Sequence, residues 1–359
     1  MNTSLRSPSH IQEAGIRTLL RRRHGIEFAL CAVWIGVTFQ ACGLVLDAVQ
    51  LIPGPALPHE VEAICRQGHI DVGIGVEPRR PFVFPAIWTD EGARVTGFDV
   101  ELTRALATTL TNHCGNLVTP VLHVIRFRDL YLFINEGRVD MFISAVSANA
   151  PSLTAAGVAY SLPYFQNAGI TAITRRAEVI DRVRENLRQL EAVPNRFFTY
   201  GAALAGLTVA VQEGTSFHWY AAANLQGSRL VLCDSLPAAF EADELPIDVI
   251  VGGEPVLNFM VTRSRKDWQL VTTAPGQPLI LMRENYAIVT EEQSYRLRWV
   301  INNLLFQLQE SGRLAEMRRR WLEEVYAYPR RAETEGLPFK MEQMVEHYNQ
   351  GRCRWGTPS

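Results

Sequence analysis

Between residue 70 and residue 326, short β-branched apolar runs alternate with stretches whose apolar residues recur every three or four positions. IDVGIGV (70–76) stops just before Glu77-Pro78 and predicts a strand. VTGFDVELTRALATTL (95–110) changes period: Phe98, Leu102, Leu106 and Leu110 fall on one face, with Asp99 near the start, and a helix is predicted. VLHVIRF (121–127) predicts a strand, DLYLFINEG (129–137) a helix closed by Gly137, and VDMFISAV (139–146) a strand buried on both faces. AGITAIT (168–174) continues as a strand, and EVIDRVRENLRQLEAV (178–193) as an amphipathic helix through Val179, Val183, Leu187 and Leu190. A second series runs through LTVAVQ (207–212), a helix around 216–225, LVLC (230–233) and IDVIVGG (247–253). The strand YAIVT (286–290) and the helices 295–309 and 313–326 follow, and the polar tail 329–359 predicts one short helix around 339–349.

Alternating strands and helices favour parallel sheets covered on both faces. Two such series imply an α/β protein of two lobes. No repeat of 20–50 residues is visible.

The segment ahead of this pattern has a different character. Residues 1–27 are polar and close on Arg21-Arg22-Arg23-His24, an apolar run FALCAVWIGVTF (28–39) follows, and then come Gln40-Ala41-Cys42-Gly43 and the run LVL (44–46). A basic start, an apolar stretch of about a dozen residues and then small residues have the layout of an export signal. FQAC-G resembles the lipobox of bacterial lipoproteins, so Cys42 is a candidate for lipidation, with Phe39 standing where that family prefers Leu. An uncleaved anchor is the competing reading, because 28–46 approaches the ~20 residues that cross a bilayer. Either way the body of the chain is expected outside the cytoplasm, in the periplasm or on the outer face of the membrane.

Composition narrows the remaining classes. The 359 residues carry 47% hydrophobic and 20% charged residues and a formal charge of −2, so no global basic field is available for nucleic acid. Cys31, Cys42, Cys65, Cys114, Cys233 and Cys353 form no CxxC pair, and the eight histidines form no HExxH or close cluster, so no metal site is expected. In an oxidising compartment the cysteines become candidate disulfides. Cys65 and Cys114 each precede a strand of the first series, so they can bridge if those strands are neighbours. Cys233 with Cys353 is a second pairing, and small buried hydrophobes are the alternative for all four.

VGIGVEPRRPFVF (72–84) and VTGFDVELTRALA (95–107) resemble the start of family 3 bacterial extracytoplasmic solute-binding proteins, the receptors of polar amino-acid importers. The resemblance continues in order through INEGRVDMFIS (134–144), YSLPYF (160–165), LAGLTVAVQEGTS (204–216), DVIVGGEPV (248–256) and LQESGRLAEMRRRW (308–321). It implies a two-lobed periplasmic-binding-protein-like fold (type II), with parallel-sheet lobes joined by two hinge strands and a ligand cleft between them. The implied organisation is 1–50 signal or anchor, 51–68 linker, 69–166 plus 287–328 lobe 1, 167–286 lobe 2 and 329–359 a C-terminal extension. The implied partners are a small polar solute and the membrane permease of an ABC transporter, for a monomer that needs no cofactor.

Carried over residue by residue, the resemblance puts Arg79, Arg80 and Phe82 after the first strand, where the family carries an aromatic that stacks on the ligand. It puts Phe127 on the opposite wall, Ser144, Ala145 and Ser147 at a strand end facing the ligand's amine and carboxylate, and Thr215 and Ser216 in a loop that caps the carboxylate. Two anchors depart from the pattern. Ser152 stands where an arginine clamps the carboxylate, and Gly253 where an acid pairs with the ammonium, with Glu254 adjacent. Arg79 or Arg80 is therefore expected to supply the missing cation for a carboxylate-bearing solute. The three arginines 318–320, and Arg330-Arg331, are expected on a solvated face.

An alternative from another class is a cleft enzyme of the cyclohexadienyl dehydratase type, which needs a general acid or base such as Glu77, Glu254 or His218. A third is a non-transport ligand-sensing module, consistent with the departures above and with the extra segments 178–200 and 329–359.

Overall fold

The computed structural model describes residues 59–75, 79–90, 92–148, 157–193, 198–263, 267–324, 327–341 and 352–356, all within one compact unit, Pro58–Ser359. The export segment, Cys42, Glu77 and the run 149–152 lie outside the described residues.

The first half contains α1 (His59–Gln67), β1 (His69–Gly75), β2 (Ile87–Thr89), β3 (Gly92–Val95), α2 (Phe98–Cys114), β4 (Thr119–Ile125), α3 (Leu130–Asn135) and β5 (Met141–Phe142). The long strand β6 (Val158–Thr174) leads to α4 (Ala177–Glu191). Next come β7 (Thr208–Gln212), α5 (Ser216–Asn224), β8 (Arg229–Cys233), α6 (Leu236–Glu241), β9 (Val249–Gly253) and α7 (Glu254–Arg263). After the short strands β10 (Gln269–Leu270), β11 (Thr272–Ala274) and β12 (Gln277–Pro278), the strand β13 (Met282–Glu291) returns. The helices α8 (Tyr295–Glu310), α9 (Arg313–Leu322) and α10 (Arg330–Glu335) and the strands β14 (Leu337–Met341) and β15 (Cys353–Trp355) complete the order.

β1, β4 and β5 pair in parallel, as do β7, β8 and β9, each set being an apolar βα series of the kind the sequence pattern predicts. β6 and β13 run antiparallel to each other between the two sets, with register breaks near Tyr286, and join them into one sheet of order β15-β8-β7-β9-β6-β13-β5-β1-β4-β14-β3-β2. This is the two-lobed α/β architecture with two hinge strands. Each lobe has its own apolar cluster, around Phe127, Phe133 and Phe142 in one and Leu204, Val209 and Val251 in the other.

Four differences from the sequence reading have local causes. Residues 59–67, assigned to a linker, form α1, and Cys65 within it is disulfide-bonded to Cys114 at the end of α2. The strand expected over 139–146 is assigned only at Met141–Phe142, because the chain turns at Ala145, whose φ is +47°. The helix expected around 339–349 is instead strand at 337–341, laid parallel on β4 (Phe339 against Leu122, Lys340 against His123), and 342–349 lie outside the described residues. The C-terminal arginines are not simply solvated. Arg320 pairs with Glu101, the Arg318 guanidinium lies 4.1 Å from the Phe165 ring centre, and Arg331 bonds Glu335 at 2.8 Å.

Gly97 shows why the GFD motif opens α2. Its φ is +146°, and a Cβ there would lie 2.1 Å from the Phe82 carbonyl oxygen, so only glycine lets the turn after β3 press against the loop after β1. Asp99, two residues on, is thereby delivered fully buried beneath the end of β5.

Candidate ligand site between the lobes

The loop after β1 folds back through a bridge between Arg79 and Val83, with the Arg79 N–H donating to the Val83 carbonyl at 2.9 Å. This turn aims the Arg79 side chain inward, where it is 3% exposed. Its guanidinium lies face-on to Phe127, 3.6 Å from the ring centre, and Nη2 donates to Oε1 of Gln212 at 3.2 Å. Gln212 ends β7, so this bond crosses from one lobe to the other.

Opposite Arg79 stands the start of α5. Thr215 caps it: its hydroxyl accepts from the His218 N–H at 3.3 Å and donates to the Gln212 carbonyl at 2.7 Å. Arg79, Phe127, Tyr131, Ala145, Val146, Ser147, Gly214, Thr215, Ser216 and Trp219 enclose a cavity of about 20 Å³, room for a single water. The cleft expected between the lobes is here a small cavity, with the Arg79 side chain in its wall. Aromatic and planar groups stack at about 3.5–4 Å, so a ligand sandwiched between two such faces needs roughly twice that separation. Arg79 and Phe127 have one layer's spacing.

Of the other sequence candidates, Ala145, Ser147, Thr215 and Ser216 line this cavity and five do not. Arg80 points the other way, 5.2 Å from the Tyr328 ring centre and 5.9 Å from that of Phe84. Phe82 is core, edge-on to Phe98, Phe165 and Tyr286 at 5.2–5.9 Å. Ser144 is buried, with its Oγ accepting from the Gly75 N–H at 3.2 Å. Gly253 is covered: a Cβ there would lie 2.5 Å from the Tyr286 hydroxyl, which occupies the room an acid side chain would need. Glu254 heads α7 half-buried against Gly169, and burial raises its pKa against the opposing charges of Arg318 and Arg283.

The acid inside the site is one that the sequence reading passed over. Glu284, on the hinge strand β13, is 1% exposed, and neither carboxylate oxygen closes a hydrogen bond. Burial raises its pKa, while the nearby hydroxyls of Ser216 and Ser147 and the charge of Arg79 favour its ionised form. The strand expected from the sequence, 286–290, starts two residues after it, whereas β13 extends back to Met282. Asp99 is a second buried acid. Its Oδ2 accepts from the Ala145 N–H at 2.9 Å, beside the Tyr164 hydroxyl, which also accepts from that N–H at 3.1 Å. Burial pushes its pKa up to about 7 despite these contacts and the charge of Arg79. Asp99 thus fixes the strand-end turn that carries Ala145 and Ser147 into the site.

His218 faces its own helix start, its Nδ1 accepting from the Gly214 N–H at 3.3 Å, and burial lowers its pKa against the charge of Glu213. Among the described residues no group of three or more histidine, cysteine or acidic residues is placed to hold a metal ion, and no helix is long and apolar enough to cross a membrane.

Residues 72–324 match the model of the bacterial extracellular solute-binding proteins, family 3. Solved structures with the same fold include an arginine-binding protein mutant from T. maritima (24% identity, TM-score 0.55, covering 74% of this chain and all of that one). Another is an amino-acid ABC transporter substrate-binding protein from Streptococcus pneumoniae bound to L-arginine (20%, 0.57, covering 75% and 100%). A third is an ancestral amino-acid-binding protein described as a precursor of cyclohexadienyl dehydratase (21%, 0.56, covering 73% and 99%). No curated protein matches the chain.

Proposed function

Since the chain belongs to the family 3 bacterial extracellular solute-binding proteins, we propose that it is a receptor that grips a small polar, carboxylate-bearing solute between lobes 69–166 plus 287–328 and 167–286, and delivers it to an ABC importer. The observation that carries this reading is Arg79, a buried cation of one lobe facing the capped start of α5 on the other across a shared cavity. A solute carboxylate between them would meet a guanidinium on one side and helix N-terminal N–H groups on the other, the two donors that bind it best. Glu284 beneath Ser147 and Ser216 offers the complementary anion for an amine on the same solute. The site as described is the closed form, and entry requires the lobes to part and Arg79 to leave Phe127.

The protein is read as performing no chemistry on its ligand, and as tethered outside the cytoplasm through its N-terminal segment by lipid at Cys42 or by an uncleaved helix. Of the acid–base candidates for the dehydratase alternative, Glu254 and His218 are not among the residues lining the cavity, and Glu77 lies outside the described residues.

One second reading has a specific observation behind it. The single-layer contact of Arg79 on Phe127 supports a non-transport module in which Arg79 stands in permanently for a ligand. Calorimetry on the full chain with L-arginine, other amino acids and dicarboxylates separates the two. If Arg79 is the carboxylate partner, one class binds saturably and Arg79→Ala weakens it at least tenfold, as losing one side of a buried charged hydrogen bond does. If Arg79 is a plug, the parent binds none of them and Arg79→Ala gains binding. An Arg79→Ala variant that binds as tightly as the parent overturns the assignment.

A further inference from the structure

We infer that the outer face of α8 is a self-association surface, on which two copies of this chain pair with their α8 helices antiparallel. The inner face of α8 is accounted for: Leu297, Ile301, Leu304 and Leu308 are buried, and the helix packs on α1, α2 and α9. The outer face of such a helix is ordinarily polar. Here it carries Tyr295, Trp299 and Phe306, which are 59%, 60% and 58% exposed. At about 100° per residue, these three and Glu310 fall within about 60° of one another and form one narrow stripe along the helix. Leu162, also half-exposed, stands beside it, because its N–H donates to the Asn302 side-chain oxygen at 2.7 Å. A helix apolar on both faces is one that is covered on both.

The size of the stripe fits a partner surface. An aromatic side chain buries about 150–250 Å², so three rings left about 60% exposed present roughly 270–450 Å². A patch of that extent on a soluble protein marks an interaction site. Two copies face to face would cover about 550–900 Å² from the rings alone, most of the ~1,000 Å² that a specific interface needs. Leu162 and the charged ends of the stripe supply the remainder.

The order of residues along the stripe identifies what covers it. About a midpoint between Asn302 and Asn303, Trp299 and Phe306 stand equally far out, and so do Tyr295 and Glu310. Antiparallel copies crossing at that midpoint set Trp299 of each on Phe306 of the other, and the Tyr295-Arg296 end of each on Glu310 of the other. The Arg296 guanidinium already lies 5.4 Å from the Tyr295 ring centre, and neither Arg296 nor Glu310 has an ion-pair partner among the described residues. Parallel copies would instead set arginine on arginine and glutamate on glutamate. Antiparallel pairing also opposes the two helix dipoles. An anionic lipid surface would match only the basic end, since the other end offers Gln307, Gln309 and Glu310. Where the sequence reading expects a monomer, α8 thus points to a two-fold pair with the same patch on both subunits. The helix packs on elements of the first lobe, so the pair leaves the second lobe free to move, and the inference does not depend on which solute the cleft takes.

Sedimentation equilibrium of the full chain in nonionic detergent, read as protein mass against concentration, tests this. The parent is expected to pass from monomer to dimer. Trp299→Ala should weaken the dimer at least about thirtyfold, because it removes a central ring from both halves of the contact. Charge reversal at exposed positions is the deciding measurement. Arg296→Glu and Glu310→Arg should each weaken the dimer about five- to tenfold, and the double variant should regain the parent affinity. A dimer unchanged in all four variants forms elsewhere and overturns the inference. So does a double variant no tighter than either single one, or a parent still monomeric at ~1 mM. A monomeric parent that is quenched by brominated phospholipid, and loses part of that quenching in Trp299→Phe, would overturn it by giving this face to the membrane surface.

Discussion

The two walls of the interlobe site depend on different kinds of chemistry. On the α5 wall, Gly214, Thr215 and Ser216 form an ordinary capped helix start, whose binding groups are backbone N–H donors. Such donors come with the helix and tolerate almost any change of neighbouring side chain. Facing this wall, the groups are side chains. Arg79 lies on Phe127, and the buried acid beside Ser147 and Ser216 is Glu284 on the hinge strand. Backbone donors change little with side-chain identity, so a test of selectivity falls on Arg79 and Glu284.

The sharpest way to break that contrast is to place an acid at Gly253. In Gly253→Asp the new Cβ meets the Tyr286 hydroxyl, and a second carboxylate enters a buried space near Glu284. Overpacking and an uncompensated buried charge together should cost about 3–5 kcal/mol. Urea unfolding should show this as a lower midpoint at unchanged slope, with partial recovery on adding Tyr286→Phe. Parent-like stability of the single variant would mean that Tyr286 gives way and that the space at Gly253 is not sealed by it.

Asp99 tests the support beneath the Arg79 wall. Its carboxyl titrates near 7 when folded and at 3.8 in the unfolded reference. Below the lower value both states hold the proton. Between the two, only the unfolded chain releases it, so stability falls as pH rises and levels off above about 7. The rise corresponds to a loss of up to about 4 kcal/mol. Asp99→Asn keeps an acceptor for the Ala145 N–H and should flatten most of this slope in urea unfolding at pH 4.5, 6 and 7.5. A residual slope of the same sign is expected from Glu284 and Asp140, whose pKa values burial also raises. An unchanged slope would remove Asp99 as its source.

What the sequence made legible follows the same division. The βα alternation is written in apolar periodicity, and the parallel sets β1/β4/β5 and β7/β8/β9 follow from it. Thr215 and Ser216 were legible because a helix start is a local feature. Glu284 was not, because its burial depends on β13 crossing between two lobes more than a hundred residues apart in sequence, and an acid beside YAIVT reads locally as a strand end. Which of Arg79 and Arg80 turns inward depends on the bridge to Val83, a contact that no period encodes. β14 and β15 were missed because short edge strands in a polar tail gain their identity only from β4 and β8.

The smallest effect probes the wall built from backbone donors. Thr215→Ala removes the acceptor for the His218 N–H and the donor to the Gln212 carbonyl, leaving the backbone of the turn in place. Loss of such a cap costs about 1 kcal/mol, a fall in melting temperature of roughly 2–4 °C for a body of this size. Because the N–H groups at the start of α5 survive, solute affinity should fall less than tenfold, clearly less than in Arg79→Ala. Calorimetry of the two variants side by side orders the walls. A Thr215→Ala loss equal to or larger than that of Arg79→Ala would place specificity on the α5 side and reverse the contrast.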